Sequence, residues 1–262
     1  MIKKILLLNY WVFIPILVYL ILFFVNPLVQ KLLHAKCSPN LIVDVDLWLF
    51  QNNIYFILSK VQNPVLDIIS SIPYLFHFPL PLIYAIFLIR SKANIEDILR
   101  ITLAYGLVNM IGVIIQYMVP TPPPWMVLME NKIPEANFHR VDNFLGIKIF
   151  KTIYSFSKLV CGAFPSLHTA WPSIILFGEV LWIGRWFCVL HVCLIAFSAV
   201  YSMHHYIIDV LTGILLAYIS CKIANIVNFE KMDTRDYTLC TTDLFLIFIS
   251  NRTTDSHVTF EE

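Results

Sequence analysis

Two short segments place ionisable residues beside long apolar runs. Residues 162–172 read GAFPSLHTAWP, and residues 204–213 read HHYIIDVLTG. His205 and Asp209 stand at positions i and i+4, so on a helix they share one face and the carboxylate can accept a hydrogen bond from the imidazole. Such a bond fixes the tautomer of His205 and makes its other nitrogen a better nucleophile or base. This pair is the first candidate for chemistry.

His168 is the second candidate, because of its position relative to His205. The stretch between the two histidines is mostly apolar, and it is long enough for two helices of about 20 residues, the length that crosses a bilayer. A chain that leaves and returns in this way brings both histidines to one membrane face. Ionisable residues in membrane segments are costly and are functional by default. A cluster of His168, His205 and Asp209 therefore predicts an active site.

The residues before His168 are typical of a helix start at an anion site. Gly162 permits close approach of the backbone, Pro165 ends the preceding loop, and Ser166 can cap the new helix. An exposed helix N-terminus attracts phosphate. We therefore expect Gly162 and Ser166 to contribute to phosphate binding.

The composition indicates a polytopic membrane protein. Hydrophobic residues make up 59% of the 262 residues and charged residues only 13%, whereas soluble proteins average about 25% charged residues. The formal net charge is +1 and no long basic run is present, so a nucleic-acid partner is not expected.

Hydropathy predicts an all-α fold with six transmembrane helices, at residues 5–25, 73–89, 98–118, 167–183, 187–201 and 206–227. Residues 41–72 mix aromatic and polar side chains, which favours an interfacial segment after the first helix. Prolines 79 and 81 should kink the second helix, whose first turns can come from about residue 65. We assign residues 1–228 to a membrane catalytic domain with its motifs in 120–225, and residues 229–262 to a polar cytosolic tail.

The basic residues predict the orientation of these helices. One side of the membrane carries nine of the 18 Lys and Arg residues, and it should be cytosolic by the positive-inside rule: Lys3, Lys4, Arg90, Lys92, Arg100, Arg185, Lys222, Lys231 and Arg235. The loop at residues 119–165 counts against this orientation, because it carries Lys132, Arg140, Lys148, Lys151 and Lys158, but the N-terminus and the other three groups agree with each other. The long, proline-rich loop at residues 119–165 then lies on the lumenal or external side, between the third and fourth helices. Cys37 and Cys161 share that side, so a disulfide between them is open, since sequence does not give the separation of their Cα atoms.

The two histidine motifs resemble those of a known family. The P-S-x-H pattern ending at His168, followed one transmembrane hairpin later by the H-x-x-x-D pattern from His205 to Asp209, resembles the type 2 phosphatidic acid phosphatase superfamily. A closer resemblance, to the fungal inositol phosphorylceramide synthases, rests on GAFPSLH, on HHY-x-x-D-x-x-x-G and on R-x-D-x-x-x-G-I at residues 140–147. These blocks lie within residues 120–225, residues 1–119 match only in hydropathy, and the tail does not match.

Departures from the phosphatase pattern are informative. The phosphatases carry a K-x6-R-P motif that this sequence lacks, and a serine-arginine pair where this sequence has Ser198 followed by Ala199. A doubly charged phosphomonoester needs more cations than a singly charged phosphodiester. The resemblance, with these departures, favours phosphodiester transfer over monoester hydrolysis.

The resemblance implies a mechanism with two displacements. His205, oriented by Asp209, attacks the phosphorus of phosphatidylinositol to form a phosphohistidine-like intermediate, while His168 protonates the departing diacylglycerol. The ceramide hydroxyl then attacks, with His168 as the base. Arg140 joins Ser166 and the backbone near Gly162 as a candidate for phosphate stabilisation.

The same resemblance implies phosphatidylinositol and ceramide as lipid substrates, no metal and no cofactor. It also implies Golgi residence with the active site facing the lumen. Whether a small regulatory membrane subunit is needed, as in fungal relatives, stays open.

Several alternatives remain at this stage. The donor headgroup could be choline or ethanolamine, as in sphingomyelin synthases, because no residue pattern in the sequence indicates which headgroup is bound. A lipid phosphate phosphatase is disfavoured, because the lysine and arginine residues of the phosphatase motifs are absent from this sequence. Two histidines and an aspartate could bind a metal or haem iron, but no H-x-x-E or H-E-x-x-H spacing is present. A proton-coupled transporter would more naturally hold such residues at mid-membrane. His204, directly beside His205, points to another side and is expected to be interfacial or hydrogen-bonded. The remaining histidines are isolated, and the sequence assigns them no role: His34, His77, His139, His191 and His257.

Overall fold

The computed structural model describes residues 9–32, 41–50, 53–77, 79–91, 93–128, 136–155, 161–178 and 184–229. The regular elements in these ranges are helices, which confirms the all-α class; they are α1 (Ile14–Leu32), α2 (Leu41–Phe50), α3 (Asn53–Lys60), α4 (Pro64–Phe76), α5 (Leu80–Arg90), α6 (Ile95–Met118), α7 (Pro124–Leu128), α8 (His139–Leu145), α9 (Ile149–Ser155), α10 (Leu167–Phe177), α11 (Arg185–Tyr201) and α12 (Ile207–Ile226), with short 3-10 turns at Tyr10–Phe13 and Ala136–Phe138. Nearly all of the predicted tail lies outside the described residues.

Helices α6 and α12 are long and apolar enough to cross a membrane, with 24 and 20 residues. They coincide with the predicted third and sixth spans. Helices α4 and α5 together pass the same test as a pair bent by 52°, close to the two prolines that predicted a kink. Helix α4 begins at Pro64, capped by the Asn63 side chain, which confirms that residues before 73 supply the first turns. Helices α10 and α11 are apolar but shorter, so the full six-span topology stays a prediction.

The helices that carry the motifs form the centre of the fold. Helix α10 packs against α11 and α12, and α6 packs against α1, α10 and α12, while α4 lies along α11. Small side chains such as Ala104, Ala170 and Ala217 are buried in the core between α6, α10 and α12. The close packing of these helices positions the two histidine motifs beside each other.

The loop between α6 and α10 begins without regular structure at its prolines. It then forms α7, the turn Ala136–Phe138, α8 and α9. Two backbone hydrogen bonds fasten this loop to the turn between α11 and α12: the Trp125 N–H donates to the Met203 carbonyl at 2.9 Å, and the Asn137 N–H donates to the Ser202 carbonyl at 3.3 Å. The loop therefore covers the end of the bundle that carries the second histidine motif.

Candidate active site

His205 lies in the short turn between α11 and α12. The N–H groups of His204 and His205 both donate to the Ala199 carbonyl at 3.1 Å, and Met203 adopts a left-handed backbone with φ of 64°. These bonds fold the chain back sharply, so that His205 stands just before the first turn of α12 and Asp209 lies within that turn.

The Nδ1 atom of His205 has two oxygen neighbours. The Ala163 carbonyl lies at 2.8 Å and the Asp209 Oδ2 atom at 3.5 Å. Because a carbonyl oxygen can only accept, Nδ1 carries the proton and the lone pair lies on Nε2. The sequence predicted that a hydrogen bond to Asp209 fixes the tautomer of His205, but the nearest acceptor is the Ala163 carbonyl, which no pattern indicated. The Asp209 Oδ2 atom also accepts the Tyr206 N–H at 2.8 Å.

His168 lies in the first turn of α10, directly opposite His205. The two imidazole centroids are 5.2 Å apart with an interplanar angle of 68°. Two hydrogen bonds tie the start of α10 to α12, one from the Ser166 N–H to the Asp209 carbonyl at 3.0 Å and one from the Thr169 hydroxyl to the Val210 carbonyl at 3.3 Å. The structure thus brings His168, His205 and Asp209 together, as the sequence predicted.

His77 is a site residue that sequence reasoning missed. Its Nε2 atom lies 2.6 Å from Nδ1 of His168, and its own Nδ1 contacts the Tyr74 carbonyl. The ring is fully buried. The interpretation of His77 as an isolated residue is therefore wrong. The sequence did contain an indication of this role, because His77 is an ionisable residue within a predicted membrane span, and such residues are functional by default.

Ser166 and Gly162 flank the backbone that contacts His205. Ser166 occupies the N-cap position of α10, but its side chain makes no capping bond, so that part of the prediction is wrong. Among the residues that the structure describes, its buried hydroxyl has no hydrogen-bond partner. The Gly162 carbonyl accepts from the Gln116 side chain at 3.1 Å, and Gly162 forms an isolated bridge with Thr121. Helix α6 and the proline-rich segment that follows it thus brace this loop, while phosphate binding by Gly162 and Ser166 stays a prediction.

Arg140 is held by partners other than the histidines. Its Nε donates to Asp67 Oδ2 at 2.8 Å and its Nη1 to Gln62 at 2.6 Å. The other Asp67 oxygen accepts the Tyr201 hydroxyl at 2.7 Å. Asp67 precedes Tyr74, a neighbour of His168, by seven residues, or about 10 Å along the axis of α4. The structure thus makes Arg140 an anchor of the loop, and its phosphate binding stays a prediction.

Aromatic side chains of the loop enclose His204. The rings of Tyr154 and Phe138 stack on it with centroids 4.5 Å and 5.3 Å away, and its Nδ1 lies 2.8 Å from the Ser202 hydroxyl. Tyr74 lies between this group and the site, 4.7 Å from His168 by ring centroid. Burial raises the pKa of Tyr154, so its phenol stays neutral. These rings form one aromatic wall beside the site.

The segment before α4 supports the start of α12. The Asp46 carboxylate accepts the Ile208 N–H at 2.8 Å, and the Tyr55 hydroxyl accepts the Ile207 N–H at 3.1 Å while donating to Asp46 at 2.5 Å. Burial raises the pKa of both side chains, and the bond from Tyr55 opposes the shift of Asp46. Asp46 is fully buried, so this part of the predicted interfacial segment faces the protein and caps the helix that carries Asp209.

Two further predictions concern cysteines and metals. Cys161 is disulfide-bonded, but Cys37 lies outside the described residues, so their pairing stays a prediction. Within the described ranges no group of three or more His, Cys, Asp or Glu side chains is arranged to hold a metal ion.

The sequence model of the PAP2 superfamily matches residues 40–223. The inositol phosphorylceramide synthase catalytic subunit AUR1 of Saccharomyces cerevisiae is 28% identical over 237 residues, which cover 84% of this chain and 58% of that protein. The inositol phosphorylceramide synthase of Candida albicans is 27% identical over 222 residues, covering 78% of this chain and 45% of the relative.

A bacterial relative is similar at a higher identity. The phosphoinositol dihydroceramide synthase of Bacteroides thetaiotaomicron is 33% identical over 177 residues, covering 63% of this chain and 56% of the relative. This chain spans about half the length of the curated relatives it matches. The crystal structure of Aquifex aeolicus LpxE shares the fold, with a TM-score of 0.52 and 18% identity over 67% of this chain and 94% of that one.

Proposed function

Because this chain belongs to the PAP2 superfamily, we propose that it transfers phosphoinositol from phosphatidylinositol to ceramide and releases diacylglycerol. The observation that carries this proposal is the pairing of His168 and His205, whose ring centroids are 5.2 Å apart. Each ring has its Nδ1 at hydrogen-bond distance from another group, the His77 nitrogen for His168 and the Ala163 carbonyl for His205. Two imidazoles held in this way can act on opposite sides of one phosphorus.

In the first step the His205 Nε2 lone pair attacks the phosphorus of phosphatidylinositol. A bond forms between nitrogen and phosphorus, and the bond from phosphorus to the diacylglycerol oxygen breaks. Protonated His168 gives the proton on its Nε2 to that oxygen. The positive charge that develops on the His205 ring is stabilised by the Asp209 carboxylate, 3.5 Å from Nδ1.

In the second step the primary hydroxyl of ceramide attacks the same phosphorus. His168 now accepts the hydroxyl proton at Nε2, and the bond from phosphorus to His205 breaks. The histidine pair returns to its starting protonation state, as required for turnover. Both lipid tails can stay in the bilayer, since only the reacting oxygens have to reach the two rings.

Position 199 supports transfer of a phosphodiester. The alanine there is fully buried within the apolar packing between α11 and the loop, where the resemblance to lipid phosphatases would place an arginine. A site with fewer cations suits the single charge of a diester better than the double charge of a monoester. The Ser166 hydroxyl and the backbone at Gly162 are our candidates to contact this phosphate, with Arg140 as a third.

The names of the relatives support inositol as the headgroup of the donor and ceramide as the acceptor. Three are inositol phosphorylceramide synthases and one is a phosphoinositol dihydroceramide synthase. The fungal and the bacterial names both combine an inositol phosphate group with a ceramide-type lipid. We therefore assign phosphatidylinositol as the donor and a ceramide as the acceptor.

The membrane arrangement is part of the same proposal. Helices α6 and α12 are candidate spans, and a six-span topology with both histidines on the lumenal face agrees with the distribution of basic residues. We also propose Golgi residence and a disulfide between Cys37 and Cys161 on the lumenal side. A small regulatory membrane subunit is compatible with this arrangement.

A lipid transfer assay tests the proposed activity. Membranes containing the full chain receive fluorescent ceramide with phosphatidylinositol, phosphatidylcholine or phosphatidylethanolamine, and the labelled products are resolved. We expect an inositol-containing product that disappears in His168→Gln and His205→Gln and persists in the control His139→Gln, whose ring contacts the Ala136 carbonyl in the loop. Product from phosphatidylcholine alone would contradict the inositol assignment, and release of free phosphate from phosphatidic acid alone would indicate a phosphatase.

A further inference from the structure

His77 lies outside both histidine motifs, yet its ring is an immediate neighbour of His168. The two ring centroids are 4.5 Å apart at 86°, and the closest nitrogens, His77 Nε2 and His168 Nδ1, are 2.6 Å apart. His77 immediately follows α4, in the first half of the chain, and is fully buried. The contact therefore joins the first half of the chain to the catalytic helices.

The direction of each hydrogen bond follows from the chemistry of its atoms. The His77 Nδ1 faces the carbonyl oxygen of Tyr74, which can only accept, so Nδ1 carries the proton and Nε2 carries the lone pair. The short contact from this lone pair to His168 then requires a proton on His168 Nδ1. Neutral His168 in this arrangement has its own lone pair on Nε2.

Aromatic packing holds the His77 ring in this orientation. Tyr74 contacts it edge to face with centroids 5.0 Å apart, and Trp171 lies 5.7 Å away. The Trp171 indole in turn donates to the Asn109 side chain at 3.1 Å. A ring enclosed by such neighbours cannot easily turn its nitrogens away from His168.

We propose that His77 is a positioning residue that keeps a proton on His168 Nδ1 throughout the reaction, so that neutral His168 is always the Nδ1–H tautomer. This inference rests on the proposed function. When His168 protonates diacylglycerol and later accepts the ceramide proton, both transfers take place at Nε2, and the Nδ1 proton stays in the bond to His77. Without that bond, neutral His168 would place its proton on either nitrogen, and the Nε2–H form cannot accept the ceramide proton at Nε2.

Two substitutions at position 77 separate this role from simple packing. His77→Leu fills the space but cannot accept a hydrogen bond, whereas His77→Gln offers an amide oxygen that can. We expect His77→Leu to lower kcat by about 10- to 100-fold, as loss of an orienting partner typically does, with little change in the KM for phosphatidylinositol. His77→Gln should recover most of kcat. Equal losses in the two variants would overturn the proposal.

A donor with a different leaving group provides an independent test of the role of His77. An inositol phosphodiester of 4-nitrophenol has a leaving group that needs no protonation, so it bypasses general acid catalysis. His77→Leu should therefore be less impaired with this donor than with phosphatidylinositol. A purely structural defect would impair both donors equally, and that result would overturn the proposal.

A spectroscopic measurement needs no variant at position 77. Nitrogen-15 NMR of the wild-type protein distinguishes the two histidine tautomers, and a spectrum of His168→Gln identifies the His168 signals. At a pH where His168 is neutral we expect the Nδ1–H tautomer, and the Nε2–H tautomer would overturn the proposal. If the wild-type protein turned over neither donor, the proposed function would fail, and this spectrum would alone decide the role of His77.

Discussion

A methyl group at Gly213 would lie 2.2 Å from the carbonyl oxygen of Ser166. This is far shorter than any ordinary carbon-oxygen contact, so the start of α10 approaches α12 as closely as it does only because residue 213 has no side chain. Gly213 closes the second histidine motif, four residues after Asp209. The glycine of the motif thus sets the distance between the helices that carry His168 and Asp209.

Gly213→Ala should therefore separate these helices. We expect a loss of most transfer activity and a destabilisation of about 1–3 kcal/mol, the typical range for overpacking. The control is Gly184→Ala, because a Cβ at Gly184 would meet no atom of the described part of the chain within 4 Å. Activity and thermal unfolding in detergent are measured for both variants. Similar behaviour of the two would contradict the account of the close contact.

Asp209→Asn tests the electrostatic part of the His205 environment. The amide can still accept the Tyr206 N–H that Asp209 now accepts, so α12 should remain capped and the unfolding temperature nearly unchanged. The negative charge beside His205 is lost, and we expect kcat to fall by about 10- to 100-fold. The fall should be smaller than that in His205→Gln, because the Ala163 carbonyl still holds Nδ1. Unchanged kcat would contradict this role of the charge.

Asp46→Ala tests the support that α2 provides to α12. The substitution leaves the partly buried N–H of Ile208 without its acceptor, which should cost about 1–3 kcal/mol, and it should lower activity through the shifted start of α12. Asp44 lies on the same helix but is exposed, so Asp44→Ala is the matched control and should unfold like wild type. Chemical or thermal unfolding followed by tryptophan fluorescence gives the comparison.

A double-mutant cycle decides between two roles of Arg140. If Arg140 anchors the loop through Asp67, then Arg140→Gln and Asp67→Asn should each destabilise the protein by about 1–3 kcal/mol. The double variant should lose less than the sum of the two, by a coupling of about 0.5–3 kcal/mol. Additive effects on stability, with a raised KM for phosphatidylinositol in Arg140→Gln alone, would instead support direct contact with the phosphate.

The sequence was sufficient to predict the all-α class and the proximity of His168, His205 and Asp209. Helices α6 and α12 were predictable because their apolar runs are long, and His205 and Asp209 because their spacing matches one helical turn. The pairing of His168 with His205 followed from the length of the apolar stretch between them. Each of these inferences depends on regularities along one stretch of chain.

The missed features depend on contacts between distant parts of the chain. His77 meets His168 only after α4 packs along α11, and Asp46 reaches the start of α12 across more than half of the sequence. Arg140 could be recognised as a basic loop residue, but its partner Asp67 lies on another helix. Likewise, no local pattern shows that a backbone carbonyl, that of Ala163, is the nearest acceptor for His205.

The central claim is that His205 carries the phosphoinositol group between the two lipids. The most direct measurement incubates the protein with phosphatidylinositol labelled at phosphorus, without ceramide, and maps the label by mass spectrometry under conditions that preserve phosphohistidine. We predict an inositol phosphate adduct on His205 that disappears when ceramide is added and is absent from His205→Gln. If His205→Gln transferred phosphoinositol to ceramide as fast as the wild-type protein, or if the adduct lay on another residue, the account would be contradicted.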